Sequence, residues 1–213
     1  MDNALEVMRA IERAPLRTVR YEDLKGLGTN VWRTLNKLVE QGALARLVRG
    51  IYCAPPDGRD SREWTPSIEA AGLAVATARH GNRNAILMGI GAARHWGVLP
   101  RALTWTMVAV PTSGHRPVVT SGGTVHFVAR DLDRLEAVVD RTELGDALVT
   151  TSAQTLLDLL SRPRQGGNPE AVAEAVRNLA AQVDASDFAN VVNEATRVNE
   201  ATRAMAASLK ARS

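Results

Sequence analysis

Between Tyr21 and Pro55 the chain reads YEDLKGLGTNVWRTLNKLVEQGALARLVRGIYCAP. Tyr21 and Leu24 recur at helical spacing up to Lys25, and Gly26, Leu27 and Gly28 then supply a turn where the chain changes direction. Thr29 or Asn30 can cap a second helix through a side-chain oxygen. Val31, Trp32, Leu35, Leu38 and Val39 give that helix an apolar stripe, and Gly42 ends it where a left-handed residue is wanted. Leu44, Leu47, Ile51 and Cys53 follow as apolar positions, with Arg46 and Arg49 between them and Gly50 at the expected tip of a two-stranded ribbon. Helix, turn, helix and basic hairpin in this order predict a winged helix-turn-helix, which points to duplex DNA.

The chemistry of the second helix agrees with that expectation. Its polar side carries Asn30, Arg33, Asn36 and Lys37, preceded by Thr29. Arginine binds guanine through two hydrogen bonds, asparagine does the same with adenine, and lysine supplies a point charge for phosphate. Arg46 and Arg49 can follow the phosphate backbone or enter a narrow minor groove. Arg17 and Arg20, in the same basic stretch, complete the set of predicted DNA-binding residues. From Arg13 to Gly50 eight basic residues face three acids, a local excess of five, whereas the 213-residue chain carries only +3. Concentrated charge of this kind gives a salt-dependent attraction to phosphate.

The length suits two modest domains. The first is predicted to span residues 1–58. It opens with a helix from Ala4 to Ala14 on Leu5, Met8 and Ile11, broken by Pro15. A linker rich in proline and charge covers 59–66, and a second domain covers 67–213. Separable modules would let residues 67–213 act on their own. No long apolar run and no basic-then-apolar leader pattern occurs, so a cytoplasmic protein without membrane contact is expected. Cys53 is the only cysteine and reads as a small core residue.

The second domain reads as mixed α/β and ends in helices, making the whole chain α+β. Helices are predicted over Ser67–His80 and Gly89–Trp96, with the short apolar run Ala85–Met88 between them. Strands are predicted over Thr104–Val110 and Thr124–Ala129, and a hairpin over Glu136–Thr150 centred on Gly145-Asp146. Thr151 or Ser152 can cap a leucine-rich helix that Pro163, Gly166 and Gly167 end. Two longer helices follow, Pro169–Val183 and Ser186 to Ala211. The second holds a six-residue repeat, Asn193 to Val198 and Asn199 to Ala204, whose period does not sustain a coiled coil.

Nothing in this half has the spacing of a catalytic constellation. His80, His95, His115 and His126 lack metal-motif spacing, Gly89-Ile90-Gly91 lacks the third glycine of a dinucleotide fingerprint, and no lysine lies between Lys37 and Lys210. The acid-rich stretch from Asp131 to Asp146 is interleaved with Arg130, Arg134 and Arg141, as on a mixed-charge surface. No metal, no cofactor and no enzymatic activity are therefore expected.

The segments LARLVRGIYCAPP, AILMGIGAARHWGVLP, TWTMVAVP, TVHFVARDL and ALVTTSAQTLLDLL, taken in this order, resemble the AbiEi family of antitoxins from bacterial type IV toxin-antitoxin systems. The resemblance implies a winged helix-turn-helix that represses its own operon at inverted or repeated promoter half-sites. It also implies a C-terminal domain that neutralises a co-encoded nucleotidyltransferase toxin. In that setting the protein is expected to be a monomer free in solution. The alternative is a ligand-responsive regulator whose C-terminal domain is a small-molecule sensor or an enzyme.

Overall fold

The computed structural model describes residues 3–163 and 167–212; Gly166, expected to help end a helix, lies outside them. The N-terminal unit begins with helix α1 (Asn3–Arg13), a short 3-10 turn at Pro15–Arg17 and strand β1 (Thr18–Arg20). A 3-10 helix, Tyr21–Leu27, stands where an α-helix was expected, and helix α2 (Val31–Glu40) follows. Strands β2 (Ala45–Val48) and β3 (Ile51–Cys53) form the hairpin. Val48 pairs with Ile51, which leaves Arg49 and Gly50 as a two-residue turn, and Gly50 has the positive φ of 79° that such a turn requires. β3 also pairs antiparallel with β1, so the sheet order is β1-β3-β2.

Both faces of the central strand β3 are buried, and the alternation of side chains sends them to different cores. Leu44, Tyr52 and Ala54 join Val7, Ile11, Leu24, Val31, Leu35 and Leu38 in the core of the N-terminal unit. Leu47, Ile51 and Cys53 point the other way, into a core shared with Ile68, Leu73, Leu87, Val108 and Val149 from beyond residue 67. Leu16 enters the same shared core, although it and Arg17 take left-handed φ values of 51° and 50°. Residues 59–66 are also fastened down: the Ser61 amide donates to the Gly42 carbonyl at 2.8 Å and its hydroxyl to the Leu44 carbonyl at 2.7 Å. The hairpin is thus the layer between two cores rather than a free wing. One hydrophobic core therefore crosses the predicted boundary between residues 1–58 and 67–213.

Beyond the boundary, Ser67 caps helix α3 (Ile68–His80), its hydroxyl accepting from the Ala70 amide. Strand β4 (Ile86–Met88), helix α4 (Gly89–His95) and strand β5 (Trp105–Val110) follow, then β6 (Val118–Thr120), β7 (Gly123–Ala129), β8 (Ala137–Thr142) and β9 (Gly145–Thr150). They form one mixed sheet in the order β6-β7-β5-β4-β9-β8. β5 and β7 run parallel, and β6 occupies the loop between them, an element the sequence reading did not anticipate. The β8–β9 turn falls at Glu143-Leu144, two residues before the predicted Gly145-Asp146. α3 lies close over the sheet because Gly72 has no side chain; a Cβ there would sit 3.0 Å from Val125 Cγ1.

Among the described residues beyond β9 the regular elements are helices: α5 (Ser152–Ser161), α6 (Pro169–Gln182), α7 (Ala185–Glu194) and α8 (Glu200–Arg212). Ile90 and Ala93 of α4 pack with Leu156, Leu159, Leu179, Phe188 and Leu209 in a second core. Thr151 caps α5 through its hydroxyl, and Asn168 caps α6. The single helix expected from Ser186 to Ala211 is broken inside the first copy of the repeat: α7 ends at Glu194 and α8 begins at Glu200. Asn199 caps α8, its Oδ1 accepting from the Thr202 amide at 2.9 Å, while its Nδ2 donates to the Leu160 carbonyl.

Two further corrections concern which residues are buried. In α1, Val7 and Ile11 face the core and Leu5 is 51% exposed. In α2, Trp32 leaves the predicted apolar stripe and is 61% exposed. Cys53 is fully buried, and burial pushes its thiol up to about 11. In the native protein at pH 8 that thiol is expected to resist iodoacetamide and to react on unfolding; alkylation at equal rates in both states would contradict its place in the shared core.

Candidate nucleic-acid interface

Positions 29, 32, 33, 36 and 37 follow the i, i+3, i+4, i+7 rule, so Thr29, Trp32, Arg33, Asn36 and Lys37 line one side of α2 and its approach. All but the half-buried Asn36 are exposed, as is Asn30 at the N-cap position. Neither Thr29 nor Asn30 spends its side chain on capping: the Asn30 side chain makes no cap hydrogen bond, although its backbone carbonyl accepts from Thr34. The stripe is held rigidly from behind by Val31, Leu35 and Leu38 in the N-terminal core. Trp32 is the member that sequence reasoning misassigned. Its spacing relative to Arg33 and Asn36, together with exposed Thr29, was the available signal.

Arg46 is exposed on the edge strand β2, and Arg49 is exposed in the turn. The turn is fixed by the Tyr21 amide, which donates to the Gly50 carbonyl at 2.8 Å, so Arg49 sits beside the junction of β1 and the 3-10 helix. Among the described residues, Arg33, Lys37, Arg46 and Arg49 have no ion-pair or side-chain hydrogen-bond partner. Arg17 and Arg20 differ. Arg17 pairs with Asp57 at 3.0 Å, and Arg20 donates through Nε and Nη2 to both oxygens of Asp23, at 3.1 and 2.8 Å. These hydrogen bonds hold the Asp23 carboxyl below its usual range and raise Arg20. Two of the nine predicted positions therefore already have protein partners, and seven face solvent or its margin.

The histidines of the second half are engaged separately. His95 Nε2 lies 2.6 Å from Asp140 Oδ2, the His126 ring stacks on Trp105 at 3.5 Å, and His80 meets His115 edge-on at 4.7 Å. Burial lowers the pKa of both His80 and His126. Asp131 faces Arg134, Asp146 faces Arg141, and Glu143 accepts from the Ser67 amide. Among the described residues, no group of three histidine, cysteine or carboxylate side chains could hold a metal ion. No helix of the described residues is long and apolar enough to cross a membrane.

The sequence model of the AbiEi antitoxin C-terminal domain matches residues 84–207, which include β4 to β9 and all but the end of α8. The chain belongs to the AbiEi antitoxin family. Antitoxin is thus the role its second half carries, on an α+β fold with a mixed sheet. The AbiEi match begins after α3, so it leaves the N-terminal unit and α3 outside it, while Leu87, Val108 and Val149 of the shared core lie within it. The fold is similar to that of the RV2827C protein from Mycobacterium tuberculosis, known from a crystal structure, with a TM-score of 0.62 and 19% identity. That similarity covers 97% of this chain and 75% of the other. No curated protein matches the chain.

Proposed function

We propose that this AbiEi antitoxin is also a transcriptional autorepressor, with residues 1–58 acting as a winged helix-turn-helix. α2 enters the major groove, where Arg33, Asn36 and Asn30 read base edges, and Thr29, Lys37, Arg46 and Arg49 hold phosphate. Arg17 and Arg20 shape the sheet edge beside Arg49 through Asp57 and Asp23. The observation that carries this reading is the exposed stripe of α2, whose cations have no protein partner while hydrophobic packing fixes the helix beneath them. The toxin to be neutralised is a co-encoded nucleotidyltransferase. The protein works as a cytoplasmic monomer that assembles on repeated promoter half-sites.

The test is binding of the full chain to a duplex from its own upstream region across a salt series. Three cationic phosphate contacts, from Lys37, Arg46 and Arg49, give a slope of log K against log salt of about −2.7. A slope near zero, or equal affinity for unrelated duplexes at every salt concentration, would remove the repressor half of the proposal. Rescue of growth when the chain is co-expressed with the neighbouring nucleotidyltransferase tests the antitoxin half.

Trp32 supplies the apolar contact of the stripe, against a thymine methyl or a deoxyribose. Trp32→Ala is expected to weaken promoter binding about tenfold, or 1.4 kcal/mol, and to leave thermal stability within about 0.5 kcal/mol of the parent. A large loss of stability with unchanged DNA affinity in gel shift would place Trp32 in the fold instead.

A further inference from the structure

A cleft of about 620 Å³ opens between the end of β7, the C-terminal half of α5 and the connection from α7 to α8. Its outer wall is the first copy of the six-residue repeat. α7 ends at Glu194 within that copy, so Thr196 and Arg197 lie between helices and border the cleft, whereas their counterparts Thr202 and Arg203 lie in α8. Four guanidinium groups line the cleft, those of Arg130, Arg134, Arg162 and Arg197, against the carboxylates of Asp131, Asp158 and Glu194.

Asp158 is the unusual member. Its side chain is 4% exposed, and Oδ1 accepts from Arg130 Nη1 at 3.0 Å and from Gln154 Nε2 at 3.2 Å. Oδ2 has no partner among the described residues, although it too is buried. Burial raises the Asp158 pKa while Arg130 opposes that rise. A buried acceptor without a donor is costly and marks a place where a ligand's N–H or O–H would be favoured. Around the same cleft, Arg162 and Arg197 have no ion-pair or hydrogen-bond partner for their side chains among the described residues, and Arg134 reaches only Thr196 Oγ1 at 3.3 Å and Asp131 at 3.9 Å.

We propose that this cleft binds a nucleoside phosphate. Its phosphate is held by Arg134, Arg162 and Arg197, whose planar forks match phosphate oxygens, and a donor on the base or ribose satisfies Asp158 Oδ2. Leu157 and Val191 provide an apolar surface for the base, and the volume lies within the range of small-molecule sites. This site is independent of the DNA-binding surface.

Calorimetric titration of the full chain with each of the common nucleoside mono- and triphosphates tests it, with pyrophosphate and unphosphorylated nucleosides as separate arms. Saturable binding of a nucleotide is expected, falling at least tenfold in Arg162→Ala with Arg197→Ala, two exposed side chains whose loss leaves the melting temperature unchanged. Asp158→Asn should weaken the nucleotide more than pyrophosphate. Arg33→Ala with Arg49→Ala should bind nucleotide as the parent does. Affinities all weaker than about 1 mM, or binding unaffected by the Arg162/Arg197 pair, would overturn the site. Pyrophosphate binding as tight as any nucleotide would overturn the nucleoside assignment, and loss of nucleotide binding in the Arg33/Arg49 pair would move the ligand to the DNA surface.

Discussion

Arg33→Ala combined with Arg49→Ala is expected to weaken binding to the upstream promoter by about 30-fold or more while the protein melts at the temperature of the parent. The two side chains are exposed and unpaired, so their removal leaves no buried partner behind and costs the fold within about 0.5 kcal/mol each. In the proposed complex Arg33 reads a base edge and Arg49 holds the backbone, contributions of about 1–3 kcal/mol each, which together weaken binding by about 30-fold to more than 10⁴-fold. The single variants should differ in kind. Arg33→Ala relaxes preference for one base position, and Arg49→Ala weakens all sequences alike and lowers the salt slope by about 1. Arg20→Ala is the internal comparison: it frees Asp23 from two hydrogen bonds, so its effect should fall on stability more than on DNA. A double variant that shifts promoter DNA as the parent does in a gel assay would show that α2 and the hairpin turn are not the contact surface.

A fragment beginning at residue 67 is expected to lose cooperative folding, and with it any antitoxic effect. Removing the first 66 residues strips Leu16, Leu47, Ile51 and Cys53 from the core they share with Ile68, Leu73, Val108 and Val149. Loss of a buried leucine or isoleucine contact set costs about 2–5 kcal/mol, so three such residues approach the whole stability of a domain, about 5–15 kcal/mol. The exposed face of α3 and the sheet would then be an aggregation surface. Circular dichroism melts of the fragment and the full chain, with growth rescue by each, decide the matter. A fragment that melts cooperatively near the temperature of the full chain and rescues growth would mean that the shared core contributes little. In the full chain, Leu47→Ala should lower stability by about 2–5 kcal/mol without touching Arg46 or Arg49, and promoter binding by the folded fraction should persist.

What the sequence determined by itself was local. The cap at Thr151, the turn at Gly50, the start of α3 and the register of α2 each follow from interactions among residues a few positions apart, and the structure places them within a residue or two of where spacing put them. The tertiary structure decided everything that depends on what lies opposite. A period-two strand shows that Ile51 and Tyr52 face apart but not that both faces are covered, so the two-sided burial of the hairpin was invisible until α3 and the sheet were in place. Trp32 lies close enough to Val31 and Leu35 in sequence to read as core, yet the N-terminal core is filled by Val7, Ile11 and Leu24 and leaves it outside. Parallel pairing of β5 with β7 requires the crossover that contains β6, which strand propensity alone does not specify. Asn199, at the start of α8, donates to the carbonyl of Leu160, 39 positions away, and Arg130 and Gln154 converge on one oxygen of Asp158 and leave its twin unpaired among the described residues. Helical and turn signals are short-range and survive in the sequence, whereas burial and unsatisfied polarity are properties of the partners that folding brings into contact.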